Sequence, residues 1–277
     1  MSTYYCLVAG LPDISLDDGK LSYSVSDFKA ELYPDLSAQD RKLIDLFYLK
    51  FDNTAILKLL KNKDAVIEDK GNFSAEELLQ LIEAVREGDT PDKKYPSYLV
   101  NFVSQYLQLS QDELYRADDL LAALYYSYGM SSNNAFIASW FEFNLNLNNI
   151  LTALAARKYK LEVSSVIVGA TSICEQLRTS NARDFGLNET LEYFEALQRI
   201  ADIEELVEGE KKVDMLKWKW LEDESFFHYF TIERIFVFLM QLEMIERWIS
   251  LDKEKGNELF RKMIPVSYTH LTLPTNR

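Results

Sequence analysis

Histidine and cysteine, the side chains that most often carry catalysis or bind metals, are scarce in this 277-residue chain. There are two of each: His228, His270, Cys6 and Cys174. A catalytic triad needs a histidine beside a nucleophile and an acid, and a metal site needs several ligands at short spacing. Neither pattern is met. We therefore predict no catalytic residue and no metal site, a packing or surface role for His228, and a reducing compartment for the cysteines.

Glycine spacing bears on nucleotide binding. Loops that cradle phosphate need several glycines within about six residues, so that backbone N–H groups can approach the ligand. The nine glycines never lie closer together than Gly10 and Gly19, so no cofactor is predicted. The acidic segment 13–19 has oxygen side chains at alternate positions, as a calcium loop does, but its glycine is one position too late. We interpret it as a solvated turn.

An interaction surface is the alternative to an active site, and Trp218 and Trp220 are its weak candidates. They alternate with lysines in the segment 217–224, and tryptophan is enriched at the centres of protein interfaces. The competing interpretation is that one tryptophan packs inward while the lysine stems cover it. The neighbouring run Phe226–Phe230 is predicted to be core rather than a ligand cage.

The formal net charge of −14 excludes some partners. Nucleic acid and anionic membrane surfaces attract basic proteins, so neither is predicted to bind directly, whereas basic protein surfaces are favoured. The N-terminus lacks the basic start of a signal peptide, and the apolar stretch 120–141 is broken by glycine, serine and asparagine. We therefore expect a cytoplasmic protein without membrane insertion.

Helix signals run along most of the chain. The segments 37–40, 74–77 and 110–113 each place a serine three residues before an acid, as a capping box does. A helical hairpin is expected around Asn133 and Asn134, and further helices at about 172–180, 189–207, 211–222 and 228–250. Strand signals are confined to 4–10 and 163–169. The sequence predicts an all-α, multi-lobed helical bundle with at most one or two short strands.

The predicted organisation has three parts. Residues 1–90 form an N-terminal helical lobe, residues 91–264 form a helical body of one or two lobes, and residues 265–277 form a non-native tail that resembles a translated cloning adapter. A faint internal repeat overlays the helix around Asn53 on the helix around Asn148, with their Ile-Leu pairs aligned at an offset of 94 residues.

Three segments together carry a resemblance: the opening 4–12, the helix 52–60 and the helix 142–158, which ends in Arg157 and Lys158. They resemble a bacterial family encoded among the genes of V/A-type ATP synthases. The similarity extends more remotely to the C component of that machine's central stalk, known as the d component in eukaryotes. The nearer resemblance covers residues 1–264. The chain departs from the C component in its shorter length, its opening without an arginine-bearing helix start, and the lack of a third repeat copy.

The resemblance implies a fold and a function. The C component is a helical, three-lobed funnel that sits on the membrane rotor ring, receives the rotating stalk, and repeats an asparagine-bearing helix that ends in basic residues. The expected function is thus that of a non-catalytic coupling subunit, peripheral to the membrane through its complex. The alternatives are a stand-alone helical interaction or regulatory module, and a hydrolase whose dispersed carboxylates converge only in the fold.

Overall fold

The computed structural model describes the backbone of residues 4–268 and the side chains of residues 4–252. The α-helices are α1 (Tyr5–Ala9), α2 (Val25–Asp27), α3 (Ala38–Lys61), α4 (Ala75–Glu87), α5 (Ser97–Tyr106), α6 (Ala117–Met130), α7 (Ala135–Lys158), α8 (Ser172–Thr179), α9 (Phe194–Ala201), α10 (Leu206–Ser225) and α11 (Ile232–Tyr268). Short π- or 3-10-helical segments occupy Phe28–Leu32, Tyr33–Asp35, Gln111–Arg116 and Val163–Ser165.

The all-α prediction is confirmed, because helices are the only regular secondary structure between residues 4 and 268. Both strand signals were wrong: residues 4–10 contain α1, and residues 163–169 begin with a 3-10 turn. A short apolar run becomes a strand only beside another strand that pairs with its backbone, whereas a helical turn satisfies its backbone groups within the segment.

Capping accounts for the clearest helix boundaries. The Ser37 and Ser74 hydroxyls accept hydrogen bonds from the N–H groups of residues 40 and 77, and the Asn134 side chain caps α7 in the same way. Gly88 ends α4 with a φ of 81°, a left-handed conformation that glycine adopts without strain. The predicted hairpin is therefore formed by α6 and α7.

Several predicted helices have different bounds, and two of them differ most. The helix expected at 189–207 is only α9, Phe194–Ala201, because residues 202–205 leave the helix and α10 then begins at Leu206. The helix expected at 228–250 begins later, at Ile232, and continues to Tyr268. Residues 269–277 of the predicted tail, including His270, lie outside the described residues.

The chain divides into two compact units. The central unit spans Ser37–Leu216, and the terminal unit combines Met1–Leu36 with Lys217–Arg277. In the central unit, one hydrophobic core holds buried side chains of α3, α4, α5 and α6, among them Ile56, Leu81, Leu99 and Leu121. That core spans the predicted lobe boundary at residue 90, and the predicted lobes stay a prediction.

The terminal unit is built on α11. Its buried side chains include Ile235, Phe236 and Leu239, and α2 packs against the same helix. The backbone N–H of Val25 donates to a Glu246 carboxylate oxygen at 2.7 Å, which fixes the start of α2 on α11. Because this start is N-terminal, the carboxylate also complements the helix dipole.

Two sets of three helices in the central unit follow the same spacing. We call α3, α4 and α5 the first triplet and α7, α8 and α9 the second triplet. Corresponding helices begin 97 residues apart, at Ala38 and Ala135, at Ala75 and Ser172, and at Ser97 and Phe194. The long helices α3 and α7 each have 24 residues. An internal repeat therefore underlies the central unit.

Buried positions support the same register. Seven of the nine buried positions of α3 have a buried counterpart 97 residues later in α7. The pairs are Asp40 with Ile137, Ile44 with Phe141, Tyr48 with Leu145, Leu49 with Asn146, Asp52 with Asn149, Ile56 with Ala153, and Leu59 with Ala156. The offset of 94 residues expected from sequence was therefore wrong by three, a shift of nearly one helical turn that leaves the apolar periodicity matched.

Candidate interaction surface

The two asparagines behind the sequence repeat make contacts between helices. The Asn53 side chain accepts a hydrogen bond from the Tyr98 hydroxyl at 2.7 Å, which joins α3 to α5. The Asn148 amide donates to the Tyr126 hydroxyl at 2.9 Å, which joins α7 to α6. Both side chains therefore hold the helices together.

Each triplet also has a buried polar anchor on its long helix. The Asp52 carboxylate accepts hydrogen bonds from the backbone N–H groups of Asn72 and Phe73, all at 3.0 Å. Burial raises the pKa of Asp52 to about 6, although these hydrogen bonds act in the opposite direction. Gly71 approaches so closely that an added Cβ would lie 2.2 Å from an Asp52 oxygen.

Asn149 makes the equivalent contacts in the second triplet. Its amide donates to the Val168 carbonyl at 2.7 Å and accepts from the Val168 N–H at 2.9 Å. Asp52 and Asn149 each hold the segment that leads into the next capping residue, Ser74 or Thr171. These anchors fix the fold of the triplets.

Arg157, near the end of α7, secures a second loop. Its guanidinium donates to the carbonyl of Ala182, to that of Arg183 at 2.9 Å and to that of Ser180 at 2.8 Å. It also lies 3.4 Å from the ring centroid of Phe185, whose backbone has a φ of 55°. Bound in this way, Arg157 stabilises a loop with a strained residue.

Two shallow grooves occur on the central unit. One, of about 500 Å³, lies between the 183–188 segment and α9, where Arg199 pairs with Glu195 at 3.0 Å. The other, of about 290 Å³, lies beside Tyr126 and Asn148. The buried acids of the described side chains are Asp40, Asp52, Asp214 and Glu233, and none of them lines either groove.

Trp218 and Trp220, the sequence candidates, are both half-buried on α10. The Trp218 indole N–H donates to a Glu222 carboxylate oxygen one turn along the helix, at 2.9 Å. This polar group of Trp218 is therefore satisfied within α10. A role of either tryptophan in binding a partner stays a prediction.

The neighbouring run Phe226–Phe230 was predicted to be core, and that prediction was wrong. The exposed fractions are 62% for Phe226, 81% for Phe227, 59% for Tyr229 and 36% for Phe230. The run connects the end of α10 at Ser225 to the start of α11 at Ile232, both of which are buried. Because the chain changes direction there, the connecting side chains point outward.

The N-terminal segment packs against this connection. The Tyr4 N–H donates to the Phe230 carbonyl at 2.7 Å, and the Tyr5 ring lies 4.5 Å from the Phe230 ring, centroid to centroid. Tyr5 is itself 58% exposed. We call the five side chains Tyr5, Phe226, Phe227, Tyr229 and Phe230 the aromatic surface. It is the strongest candidate for an interaction site.

His228 lies within this connection without belonging to the exposed set. Its backbone N–H donates to the Ser225 carbonyl at 2.8 Å, and its ring Nδ1 is 3.6 Å from a carboxylate oxygen of the buried Glu233. Thr231 donates a hydrogen bond to the same oxygen. These contacts fix the backbone that carries the aromatic surface.

Between residues 4 and 252, no group of histidine, cysteine and acidic side chains is arranged to hold a metal ion. Of the helices in the described part of the chain, none combines the length and apolarity needed to cross a membrane.

The family described as protein of unknown function (DUF2764) matches residues 1–267. No curated protein and no solved structure matches the chain.

Proposed function

The chain belongs to the family DUF2764, described as protein of unknown function, and we propose that it is a non-catalytic coupling subunit of a V/A-type ATP synthase. In this role it links the central stalk to the membrane rotor ring. It would then be cytoplasmic and held at the membrane through its complex, with the other synthase subunits as partners and no cofactor.

The observation that carries the proposal is the repeat of the central unit. The resemblance to the C component of the stalk implies repeated lobes, each with an asparagine-bearing helix that ends in basic residues. Here α3 and α7 have equal length and end in lysine, and each carries an asparagine in an interhelical hydrogen bond. The two asparagines are not at equivalent positions, because Asn148 corresponds to Phe51 in the 97-residue register. Their register follows from helix bounds and burial.

A coupling role also makes physical sense of the polar anchors. Torque is transmitted by parts that keep their shape, and side chains locked by buried hydrogen bonds resist local deformation. Asp52 and Asn149 each tie a long helix to the loop that follows it, and Arg157 ties α7 to the loop that follows α8. The triplets are therefore suited to act as stiff elements.

Purification of the native assembly tests the proposal. The full chain is tagged at its N-terminus, and the assembly is captured through a different protein, one of the central stalk. We expect the chain to co-purify in fixed proportion with the stalk and the rotor ring. Its absence from an assembly that contains both would overturn the proposal.

A stand-alone helical interaction module is the alternative, and the aromatic surface is the observation that supports it. An exposed group of five aromatic side chains would serve a partner outside the synthase equally well. Reciprocal capture through the tagged chain separates the two functions. Recovery of a stoichiometric partner without ring or stalk proteins would favour the module.

A further inference from the structure

We infer that the aromatic surface is a docking site for a basic amphipathic helix of a partner protein. This goes beyond the proposed function, since it names a surface and the chemistry of what binds it, and it holds for either functional alternative. The occupant would place apolar side chains on the aromatic rings and lysine or arginine beside them.

The aromatic surface concentrates exposed apolar side chains in a short segment of the chain. Elsewhere in the described chain, large exposed hydrophobic residues lie singly, such as Val66, Tyr115 and Met215, or as the pair Tyr159 and Leu161. Phe226, Phe227, Tyr229 and Phe230 instead fall within five consecutive positions, with Tyr5 packed against the last. Exposed aromatic side chains concentrated in so short a segment are typical of interaction sites.

Four of the five rings pack in pairs, which holds them in place. The Phe226 and Phe227 rings meet edge to face at 5.0 Å, and the Tyr5 and Phe230 ring centroids lie 4.5 Å apart. The hydrogen bond from Tyr4 to the Phe230 carbonyl fixes the backbone beneath them. Binding to a preformed surface loses less conformational entropy, so its contacts contribute more fully to affinity.

Acidic side chains that directly precede the aromatic run select a basic partner. Glu222, Asp223 and Glu224 are exposed in the last turn of α10, directly before Phe226, and Lys219 lies one turn earlier. Negative charge at a helix C-terminus opposes the helix dipole, so these acids weaken the local fold. A cation placed there meets both the carboxylates and the negative end of the dipole. It can also lie over the rings of the aromatic surface.

The same charges argue against other occupants. Phosphate headgroups of an anionic membrane would face three carboxylates, and nucleic acid would do the same. A second copy of this chain, with a net charge of −14, would bring the same acids against their counterparts. A basic protein helix satisfies the apolar and the charged parts together.

Peptide binding to the full chain tests the inference. The probe is a fluorescent 18-residue leucine-lysine peptide, about five helical turns long, with an apolar stripe on one face. A scrambled peptide of the same composition and a leucine-glutamate peptide are the comparisons. We expect binding of the basic amphipathic peptide to be about tenfold tighter than that of either comparison.

Matched variants locate the site. The double variant Phe226→Ala/Phe227→Ala should lose about tenfold in affinity, whereas the control Tyr159→Ala/Leu161→Ala removes exposed apolar side chains elsewhere and should change nothing. The triple variant Glu222→Gln/Asp223→Asn/Glu224→Gln keeps the acceptor for Trp218 and should weaken binding and reduce its salt dependence. Circular dichroism checks that every variant is folded.

Three results would overturn the inference. The scrambled peptide could bind equally well, which would reduce the interaction to net charge. The Phe226→Ala/Phe227→Ala variant could bind as the parent does. The aromatic surface could prefer phosphatidylglycerol vesicles or a second copy, shown by flotation or by sedimentation that the double variant abolishes. None of these results bears on whether the chain co-purifies with an ATP synthase, so the two proposals fail separately.

Discussion

Asp52 and Asn149 hold the same place in the two triplets, 97 residues apart, and perform the same task with different chemistry. Each lies buried on a long helix and binds the backbone of the segment before the next helix. The carboxylate only accepts, from two N–H groups, whereas the amide both accepts and donates. The two positions should therefore respond in opposite ways when their side chains are exchanged.

The first prediction concerns Asp52→Asn. Burial raises the pKa of Asp52 from 3.8 to about 6 in the folded protein, so the native state favours the protonated carboxyl. The resulting stability is fully present below about pH 4 and is lost as the pH rises through about 6. Relative to the variant, the parent should lose about 3 kcal/mol of unfolding free energy between about pH 4 and pH 8.

Urea unfolding of both proteins across this pH range measures the difference. Asp69→Asn, at an exposed position, is the control for the substitution itself and should change the unfolding free energy by less than about 0.5 kcal/mol at neutral pH. If the curves for the parent and Asp52→Asn stay parallel, the assignment of this titration to Asp52 is wrong.

The second prediction is that the reverse exchange, Asn149→Asp, is far more harmful. A carboxylate there would face the Val168 carbonyl, to which the amide now donates at 2.7 Å, and the site is buried. An unpaired buried charge against an acceptor should cost about 3–5 kcal/mol at neutral pH. Lowering the pH should restore part of the lost unfolding free energy, because a protonated carboxyl can again donate a hydrogen bond to the Val168 carbonyl. Equal costs for Asn149→Asp and Asp52→Asn at neutral pH would contradict the prediction.

Gly71 provides the third prediction. A Cβ at this position would lie 2.2 Å from an Asp52 oxygen and 3.2 Å from the Asp52 backbone nitrogen, so Gly71→Ala must displace the carboxylate from its donors. We expect a loss of about 3 kcal/mol in unfolding free energy. Gly19→Ala is the control, since no atom lies within 4 Å of its added Cβ. In a double-mutant cycle with Asp52→Ala, the cost of Gly71→Ala should shrink; purely additive effects would refute the proposed contact.

The fourth prediction concerns Arg157→Lys. Lysine keeps the charge but loses the planar fork that reaches several carbonyls and the stack on Phe185. The expected cost is about 1–2 kcal/mol, with faster hydrogen exchange confined to residues 180–186. Arg199→Lys alters an exposed pair with Glu195 and should cost less than about 0.5 kcal/mol. Unchanged exchange in the 180–186 loop would contradict the role given to Arg157.

Local chemistry made much of the fold predictable from the sequence. Ser37 and Ser74 cap helices because a hydroxyl three residues before an acid satisfies free N–H groups, whatever the tertiary structure. The anchors were not foreseen, since an aspartate or asparagine within a helix is ordinarily read as solvated. Asp52 and Asn149 are anchors because they are buried and because the backbone 19 or 20 residues further along the chain folds back to bind them. Nothing local encodes that return.

The exposure of the aromatic surface was not predicted, for a related reason. Hydrophobicity predicts burial, but whether a side chain is buried depends on the path of the backbone around it. The usable signal was position: Phe226–Phe230 is a contiguous run between two helices, without the three- and four-residue spacing that would give it an inward face. An aromatic run in a connection between helices therefore favours an exposed site.

The last prediction tests the packing of the α6–α7 hairpin through Gly129. A Cβ on this buried helical glycine would lie 2.2 Å from the Phe141 ring, so Gly129→Ala must push apart two packed helices. We expect a loss of about 2–3 kcal/mol, although alanine is the better helix former. Gly209→Ala on α10 has its nearest contact at 4.0 Å and should gain about 0.5–1 kcal/mol from helix propensity alone. Thermal unfolding therefore has to move in opposite directions for the two substitutions, and a shift in the same direction would show that Gly129 does not set the approach of α6 to α7.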